Sequence, residues 1–255
     1  MSSQAGKVAL ITGAAQGLGK AFSEALLKKG ARVCVVDVNS ERGEATVNDF
    51  IQKYGKENAA FIKCDVTSQQ EMENAFTFAT STFGGIDLVC NNAGLSGENQ
   101  WEQMININLL SVVRGTKLAI DHMSKHRGGK GGIILNVSSM AGLMTTHLSP
   151  VYCATKHGVA AFTQSWAKNP DCEKMGLRFH TLCPAFADTQ MVKSAEERVP
   201  DSATAAKLME EYGLMSPETV AEAFMQLVER EDTTGAVLSV SKGYGMRWIK
   251  EGTQP

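Results

Sequence analysis

Neither sign of charge dominates this 255-residue chain: 25 Lys and Arg against 27 Asp and Glu leave a net charge of −2. That balance leaves no electrostatic footprint for nucleic acid or for an anionic membrane surface, so neither partner is expected. No apolar run approaches the roughly 20 residues that a helical bilayer span requires. The opening MSSQAGKVALITGAAQ has too short an apolar run for a secretory leader and reads as a strand, so a cytoplasmic location is expected. The cysteines Cys34, Cys64, Cys90, Cys153, Cys172 and Cys183 include no C-x-x-C pair, and several lie inside apolar runs. They read as reduced, structural thiols that pack as small hydrophobes. Repeats, low-complexity tracts and Pro/Gly/Ser linkers are also lacking, so residues 1–255 are expected to form one domain. The sequon at Asn136 falls in an apolar run that reads as a buried strand, which argues against glycosylation there.

What the chain does have is a regular alternation. Short, nearly continuous hydrophobic runs recur at 7–12, 31–37, 59–65, 86–94, 131–139, 177–184 and 235–241, each bounded by Gly or polar residues. Strands covered on both faces by helices have this pattern. Helix-length segments lie between them. One starts at Gly17, buries Leu18, Phe22, Ala25 and Leu26 on one face, and stops at Gly30. A late one opens with Ser216 as N-cap and Pro217 in the first turn, with Val220, Phe224, Leu227 and Val228 as its buried stripe. The implied fold is α/β: a single doubly wound Rossmann domain, a mostly parallel seven-stranded sheet with helices on both faces. Segment 188–215 breaks the rhythm, with charges mixed among Met, Val, Leu and Tyr and a Pro at 200. It is expected to be a substrate-binding lid, because long insertions after strand C-termini commonly serve binding.

Several chemistry-bearing clusters fall at strand ends. The first strand runs into TGAAQGLG, where Gly13, Gln16, Gly17, Leu18 and Gly19 lead into a helix. Glycines there let the backbone approach a pyrophosphate, and the helix start offers free N–H groups and a positive dipole end. The spacing G-x-x-x-G-x-G differs from the usual G-x-G-x-x-G. Asp37 ends the second strand, where a carboxylate can accept from adenosine ribose hydroxyls and repel a 2′-phosphate, which points to NAD and away from NADP. The alternative is a strand-end Asp capping the next helix. Asp65, between Cys64 and Val66, ends the third strand, within reach of an adenine amino group. Asn91, Asn92, Ala93 and Gly94 make a small turn at the end of the fourth. Tyr152 and Lys156, four residues apart in SPVYCATKHG, fall on one helical face as either an ordinary amphipathic pair or a proton-transfer device.

Taken together, Thr12-Gly13…Gly17…Gly19, Asp65, Asn91-Asn92-Ala93-Gly94, Asn108, Ser139, Tyr152…Lys156 and Pro184…Thr189 resemble the short-chain dehydrogenase/reductase family over almost the whole chain. The resemblance implies a catalytic tetrad of Asn108, Ser139, Tyr152 and Lys156 working on a nicotinamide cofactor. Tyr152 would be the general base and Ser139 would hold the substrate oxygen. Lys156 would also bind the nicotinamide ribose, and Asn108 would anchor a relay water. Adjacent Ser138 and Ser139 are not separated by sequence chemistry; the family pattern selects Ser139. Thr189, with Pro184 upstream, is implied to bind the carboxamide, although Ala185 stands where the family usually has Gly. An ammonium about 4 Å from the phenol would contribute on the order of 4 kcal/mol at an effective dielectric of 20. That is enough to lower a phenol pKa near 10 by about three units.

Within the family, GGIILNVSSMAGLM, PVYCATKHG and YGLMSPETVA are most similar to the branch that oxidises 15-hydroxyprostaglandins. The implied substrate is the allylic secondary alcohol of a lipid mediator, a 15-hydroxyprostaglandin or hydroxy-fatty acid. Ser139, His147, Ser149, Tyr152, Met191 and Tyr212 are the candidate contacts, with Met144, Val192, Leu208 and Met209 around them. Ser149 departs from the glutamine of that branch, so another hydrophobic alcohol (a hydroxysteroid, retinol or a short secondary alcohol) stays open, as does a non-catalytic binding role. A homodimer formed through the helices carrying Asn108 and Tyr152 is implied. His122 and His126, four apart, read as a solvated helix end, and no metal site is expected.

Overall fold

The computed structural model describes residues 4–192 and 202–250. Eight strands form one sheet: β1 (Val8–Thr12), β2 (Arg32–Asp37), β3 (Ala59–Lys63), β4 (Leu88–Asn91), β5 (Gly132–Val137), β6 (Leu177–Pro184), β7 (Val237–Ser241) and β8 (Gly245–Ile249). Their order is β3-β2-β1-β4-β5-β6-β7-β8. All pairings through β7 are parallel, as the continuous hydrophobic runs require. The sheet has eight strands rather than the expected seven, because β8 folds back antiparallel on β7 at the edge. Its residues are largely exposed, so no buried run marked it in the sequence; the reversal depends on Gly245 at φ +70 and on Ser241 Oγ accepting from Tyr244 N.

Helices cover both faces. On one lie α1 (Gly17–Lys28) and α2 (Ser40–Tyr54), and on the other α3 (Gln69–Phe83). A short α4 (Trp101–Ile105) leads through a π-helical turn, Asn106–Leu110, into α5 (Ser111–Met123). Next come α6 (Pro150–Ala167), α7 (Cys172–Met175), α8 (Ser202–Tyr212) and α9 (Pro217–Val228). Two cores result. Phe22 of α1 stacks on Phe224 of α9 at 4.5 Å, with Phe50 and the inward residues of β1 and β2 around them. Across the sheet Met72, Phe76, Met123 and Phe179 fill the second core. All six cysteines are buried and unpaired, as expected. Asn136 is fully buried on β5, which closes the sequon to any glycan.

The helix punctuation follows the sequence. Lys28 ends α1 and Gly30 turns the chain at φ +82; Ser216 Oγ accepts from Thr219 N to start α9. The expected lid leaves and returns through one closure, a parallel bridge between Ala187 and Met215. Asp188 N donates to Met215 O and Met215 N to Phe186 O. Its second half is helix α8; Pro200 and the rest of 193–201 lie outside the described residues. Among those described, no helix is long and apolar enough to cross a membrane. The sheet order reverses between β1 and β4, so the crevice at their C-terminal ends is where this architecture places a ligand.

Candidate active site

The Gly-rich turn lies in that crevice. Gly13 and Gly17 have φ of +64 and +56, and no described non-glycine residue adopts positive φ. A Cβ on Gly19 would come 2.3 Å from Gly13 O and 2.7 Å from Asn92 Nδ2, so only hydrogen fits where helix meets turn. Gln16 at the start of α1 makes no side-chain cap, and the N–H groups of the helix face the crevice uncapped. Leu18 packs against the core beneath. The turn is stitched to the end of β4: Thr12 Oγ1 accepts from Asn92 N and Ala93 N, while Asn92 Nδ2 donates to Thr12 O and Gly13 O. The sequence pattern gave Thr12 and Asn92 no role of their own, yet they hold the two loops in register.

Asp37 sits at the β2 end with Oδ2 accepting from Ala15 N at 3.0 Å and Oδ1 from Asn39 N at 3.0 Å. It does not cap α2; Asn39 does, through Arg42 N. Each Asp37 oxygen retains a lone pair for a ribose hydroxyl. Val38, 60% exposed, leaves an apolar surface beside it. Arg42, five residues on, reaches back to hydrogen-bond Gln16 Oε1 and lines, with Lys20 and Thr189, a cleft of about 450 Å³ over Gly17. Sequence position did not place this cation at the crevice; the first turn of α2 does. Asp65 uses Oδ1 on Thr67 N and Oγ1, with Cys64 and Val66 buried on either side.

Asn91 ends β4 at the edge of the crevice. Its side chain points away from the crevice into the core, where Nδ2 donates to Asn136 Oδ1 at 2.8 Å and to Thr116 Oγ1 at 3.3 Å. Asn136 extends this buried network to Thr163 of α6. Asn91 therefore ties β4 to β5 and α5, and only its backbone borders the loop. Ala93 packs directly under Gly13, 2.8 Å from where a Cβ would stand.

At the far end of the crevice α6 brings Tyr152 and Lys156 together, with the Lys156 ammonium 5.7 Å from the centre of the Tyr152 ring. Lys156 is 4% exposed and donates to Val137 O at 3.0 Å. Among the described residues no carboxylate pairs with it, and desolvation lowers its pKa to about 8. Two of its N–H bonds remain for a ligand, which suits a buried ribose diol. Burial pushes the half-buried Tyr152 phenol up, and the hydrogen bond with Ser139 pulls it down. This departs from the expected fall of about three units, because in the chain alone desolvation of the phenol outweighs what lowers it. The Cys183 thiol beneath them is pushed up to about 12 by burial and stays neutral.

The two serines are now separated. Ser138 is buried and donates to Lys156 O at 2.7 Å, fixing α6 against β5. Ser139 reaches the Tyr152 hydroxyl and also lies 3.4 Å from Pro184 O. Asn108, in the π-helical turn and fully buried, spends its side chain on the main chain of Leu95: Oδ1 accepts from Leu95 N at 2.7 Å and Nδ2 donates to Leu95 O at 2.8 Å. Its amide is thus a brace for the loop after β4. Ala185 has no positive φ, so a side chain there carries no backbone strain. Thr189 comes to the Gly-rich turn, its Cγ2 3.3 Å from where a Gly17 Cβ would stand.

Among substrate candidates, Met191 lies at Gly94, alongside Asn108 Oδ1 and Lys156 Nζ, all within 3.7 Å of where a Gly94 Cβ would stand. Tyr212 donates to Met144 Sδ at 3.2 Å and so joins α8 to the loop after Ser139. Ser149 is the half-buried residue that starts α6, while His147 is exposed. Leu208 and Met209 are half-buried on α8, and Val192 is half-buried next to Met191. His122 packs its ring on Phe76 at 5.2 Å, and among the described residues no cluster of His, Cys, Asp or Glu could hold a metal.

The crevice, the glycine turn and the Ser139–Tyr152–Lys156 cluster agree with the sequence relationships. The profile of the family described as short chain dehydrogenase matches residues 7–200. The chain belongs to the short-chain dehydrogenase family. It is therefore an oxidoreductase. It is 41% identical over 249 residues to 15-hydroxyprostaglandin dehydrogenase [NAD(+)] of Mus musculus, covering 95% of this chain and 93% of that one. It is 32% identical to the 3-oxoacyl-[acyl-carrier-protein] reductase FabG of Vibrio cholerae, over 94% of this chain and 98% of the reductase. A crystal structure of 3-ketoacyl-(acyl-carrier-protein) reductase from Brucella melitensis complexed with NADH superposes with a TM-score of 0.82 at 25% identity, covering 94% of this chain and 99% of the other.

Proposed function

We propose that this short-chain dehydrogenase oxidises the allylic secondary alcohol of a lipid mediator, a 15-hydroxyprostaglandin or hydroxy-fatty acid, to the ketone, with NAD as cofactor. The observation that carries the reading is the buried Lys156 ammonium beside the Tyr152 ring, bonded to Val137 O and paired with no carboxylate among the described residues. The uncapped start of α1, the Gly13–Gly19 turn and the lone pairs of Asp37 fit the dinucleotide, and the 41% identity to an NAD-dependent prostaglandin dehydrogenase supports the substrate class.

NAD⁺ held at the Gly13–Gly19 turn and Asp37 would supply the acceptor for the hydride of the carbinol carbon. Ser139 holds the substrate oxygen. Tyr152, as phenolate, takes the hydroxyl proton as the C–H bond breaks. Lys156 keeps positive charge next to the phenolate and turns its spare N–H groups to the nicotinamide ribose. Asp37 accepts from the adenosine ribose, and Thr189 orients the carboxamide. Asn108 braces the loop that walls the site. The 188–215 excursion is the lid, with Met191 and Tyr212 contacting the lipid chain and Ser149 and His147 setting the specificity at its mouth.

The working form is a cytoplasmic homodimer in which a second copy covers Trp101, Ile105 and Leu110, apolar side chains 51%, 37% and 45% exposed on the run into α5. Light scattering giving a monomer mass would overturn the dimer. The activity is tested by NADH formation with 15-hydroxyprostaglandins, hydroxy-fatty acids, hydroxysteroids, retinol and short secondary alcohols. Turnover should be best with the lipid mediators, and Tyr152→Phe should lower kcat by about 10²–10⁴ with NAD binding retained. Tyr152→Phe at wild-type turnover removes the base; a faster steroid or short alcohol removes the substrate.

A further inference from the structure

Tyr152 is the third residue of α6, so its main-chain N–H is among the donors that the helix leaves without an internal partner. The usual remedy is a side-chain acceptor on the residue before the helix. Ser149 makes no such bond, and Pro150 has no N–H to satisfy. The acceptor comes instead from Glu98, 53 and 54 positions earlier: Oε2 takes Val151 N and Oε1 takes Tyr152 N, each at 3.2 Å. The carbonyl of Tyr152 is held as well, by Thr155 Oγ1 at 2.8 Å. Thr155 Oγ1 accepts in turn from Asn108 Nδ2 at 3.4 Å, and the Asn108 amide grips both main-chain groups of Leu95, three residues before Glu98. The chain from Leu95 to Glu98 closes a ring of hydrogen bonds around the main chain of Tyr152.

From this ring we infer that Glu98 is a positioning residue for the base, an inference that rests on the reading of Tyr152 above. Glu98 is bonded to the main chain of α6, and its effect on the phenol passes through the orientation of Tyr152 and the field at the helix start. Two acceptor oxygens on two successive N–H groups fix the direction in which α6 begins, and hence where its third residue points. The carboxylate also brings negative charge to the positive end of the helix, which opposes ionisation of the phenol. Glu98 therefore trades some acidity of Tyr152 for a fixed position. Its loss has two separable effects, misalignment and a more acidic phenol.

The test compares wild type, Glu98→Ala, Glu98→Gln and Tyr152→Phe in steady-state oxidation of a 15-hydroxyprostaglandin, or of whichever alcohol in the panel turns over. NAD binding measured by fluorescence quenching counts the competent sites. Glu98→Ala should lose about tenfold or more in kcat per competent site, with KM for NAD within about twofold of wild type. Glu98→Gln keeps the shape and one acceptor, so it should recover part of the lost kcat. Both should move the acidic limb of the kcat/KM profile to lower pH by about half a unit. Wild-type kcat per competent site in Glu98→Ala overturns the inference, as does a loss that Gln does not relieve and that leaves the pH profile unmoved. If Tyr152→Phe is inactive in the same series, such a result counts against Glu98 alone. If Tyr152→Phe is active, the base assignment itself has failed.

Discussion

His180 offers a test of the physics that shapes this fold, because it is a titratable side chain with nothing to hold. It sits on β6 with no exposed surface, and among the described residues neither ring nitrogen has a hydrogen-bond partner. Burial, with Arg178 and Arg230 nearby, lowers its pKa from 6.5 to about 4, against a smaller opposing influence of Asp232. A base whose folded pKa lies below its unfolded one binds fewer protons when folded, so its neutral form favours folding above the unfolded pKa. Stability is therefore full above about pH 6.5, falls as the pH drops through that value, and stops falling near pH 4, where the folded form also binds the proton. At about 1.4 kcal/mol per pKa unit, the loss across that window is about 3 kcal/mol. Equilibrium urea unfolding at intervals between pH 7.5 and pH 4, followed by far-UV circular dichroism, would measure it. The comparison is with His180→Leu, whose carboxylates titrate as in wild type, so the difference between the two curves isolates the imidazole. That difference should shift in favour of His180→Leu by about 3 kcal/mol from the top of the window to the bottom. Parallel curves would show that a partner satisfies His180 in the folded chain, and the reasoning would fail.

The two serines should separate when each is replaced by Ala. Ser138→Ala loses the buried bond to Lys156 O, which should cost about 1 kcal/mol in unfolding free energy; Ser139→Ala should lower kcat at least tenfold with Tm little changed, and thermal melts run beside turnover would show whether the roles are reversed. Asp37→Ser removes the carboxylate that would repel a 2′-phosphate and leaves Arg42 at the crevice, so the ratio of kcat/KM for NADP to that for NAD should rise at least tenfold. An unchanged ratio would mean that Asp37 does not read the adenosine ribose.

How much was legible from residues alone varied from element to element. Seven strands announced themselves because strands covered on both faces must be hydrophobic almost throughout. The eighth did not: GMRWI at the sheet edge buries little and carries no strong period. The glycine turn was legible because positive φ and close packing leave few alternatives to Gly at 13, 17 and 19. The direction of the Asn91 side chain was not legible, because a motif position specifies a residue type without saying which way it faces. Here the pleat of β4 turns it into the core against Asn136. Glu98 carried no visible signal, since a helix cap drawn from 53 residues away has no local pattern.

By itself, then, the sequence determined what depends on short-range periodicity and on backbone chemistry: the βαβ alternation, the turn at Gly13–Gly19, and the one-turn spacing that sets Tyr152 and Lys156 side by side. Tertiary structure decided whatever depends on distance through space and on access of water. It gave the two serines different surroundings, burying the Ser138 hydroxyl against Lys156 O and leaving Ser139 beside Tyr152. It brought Arg42 to the crevice and Glu98 to the start of α6. It also set the ionisation of the central pair, because desolvation, which raises the Tyr152 phenol and lowers Lys156 to about 8, depends on what the folded chain packs around them.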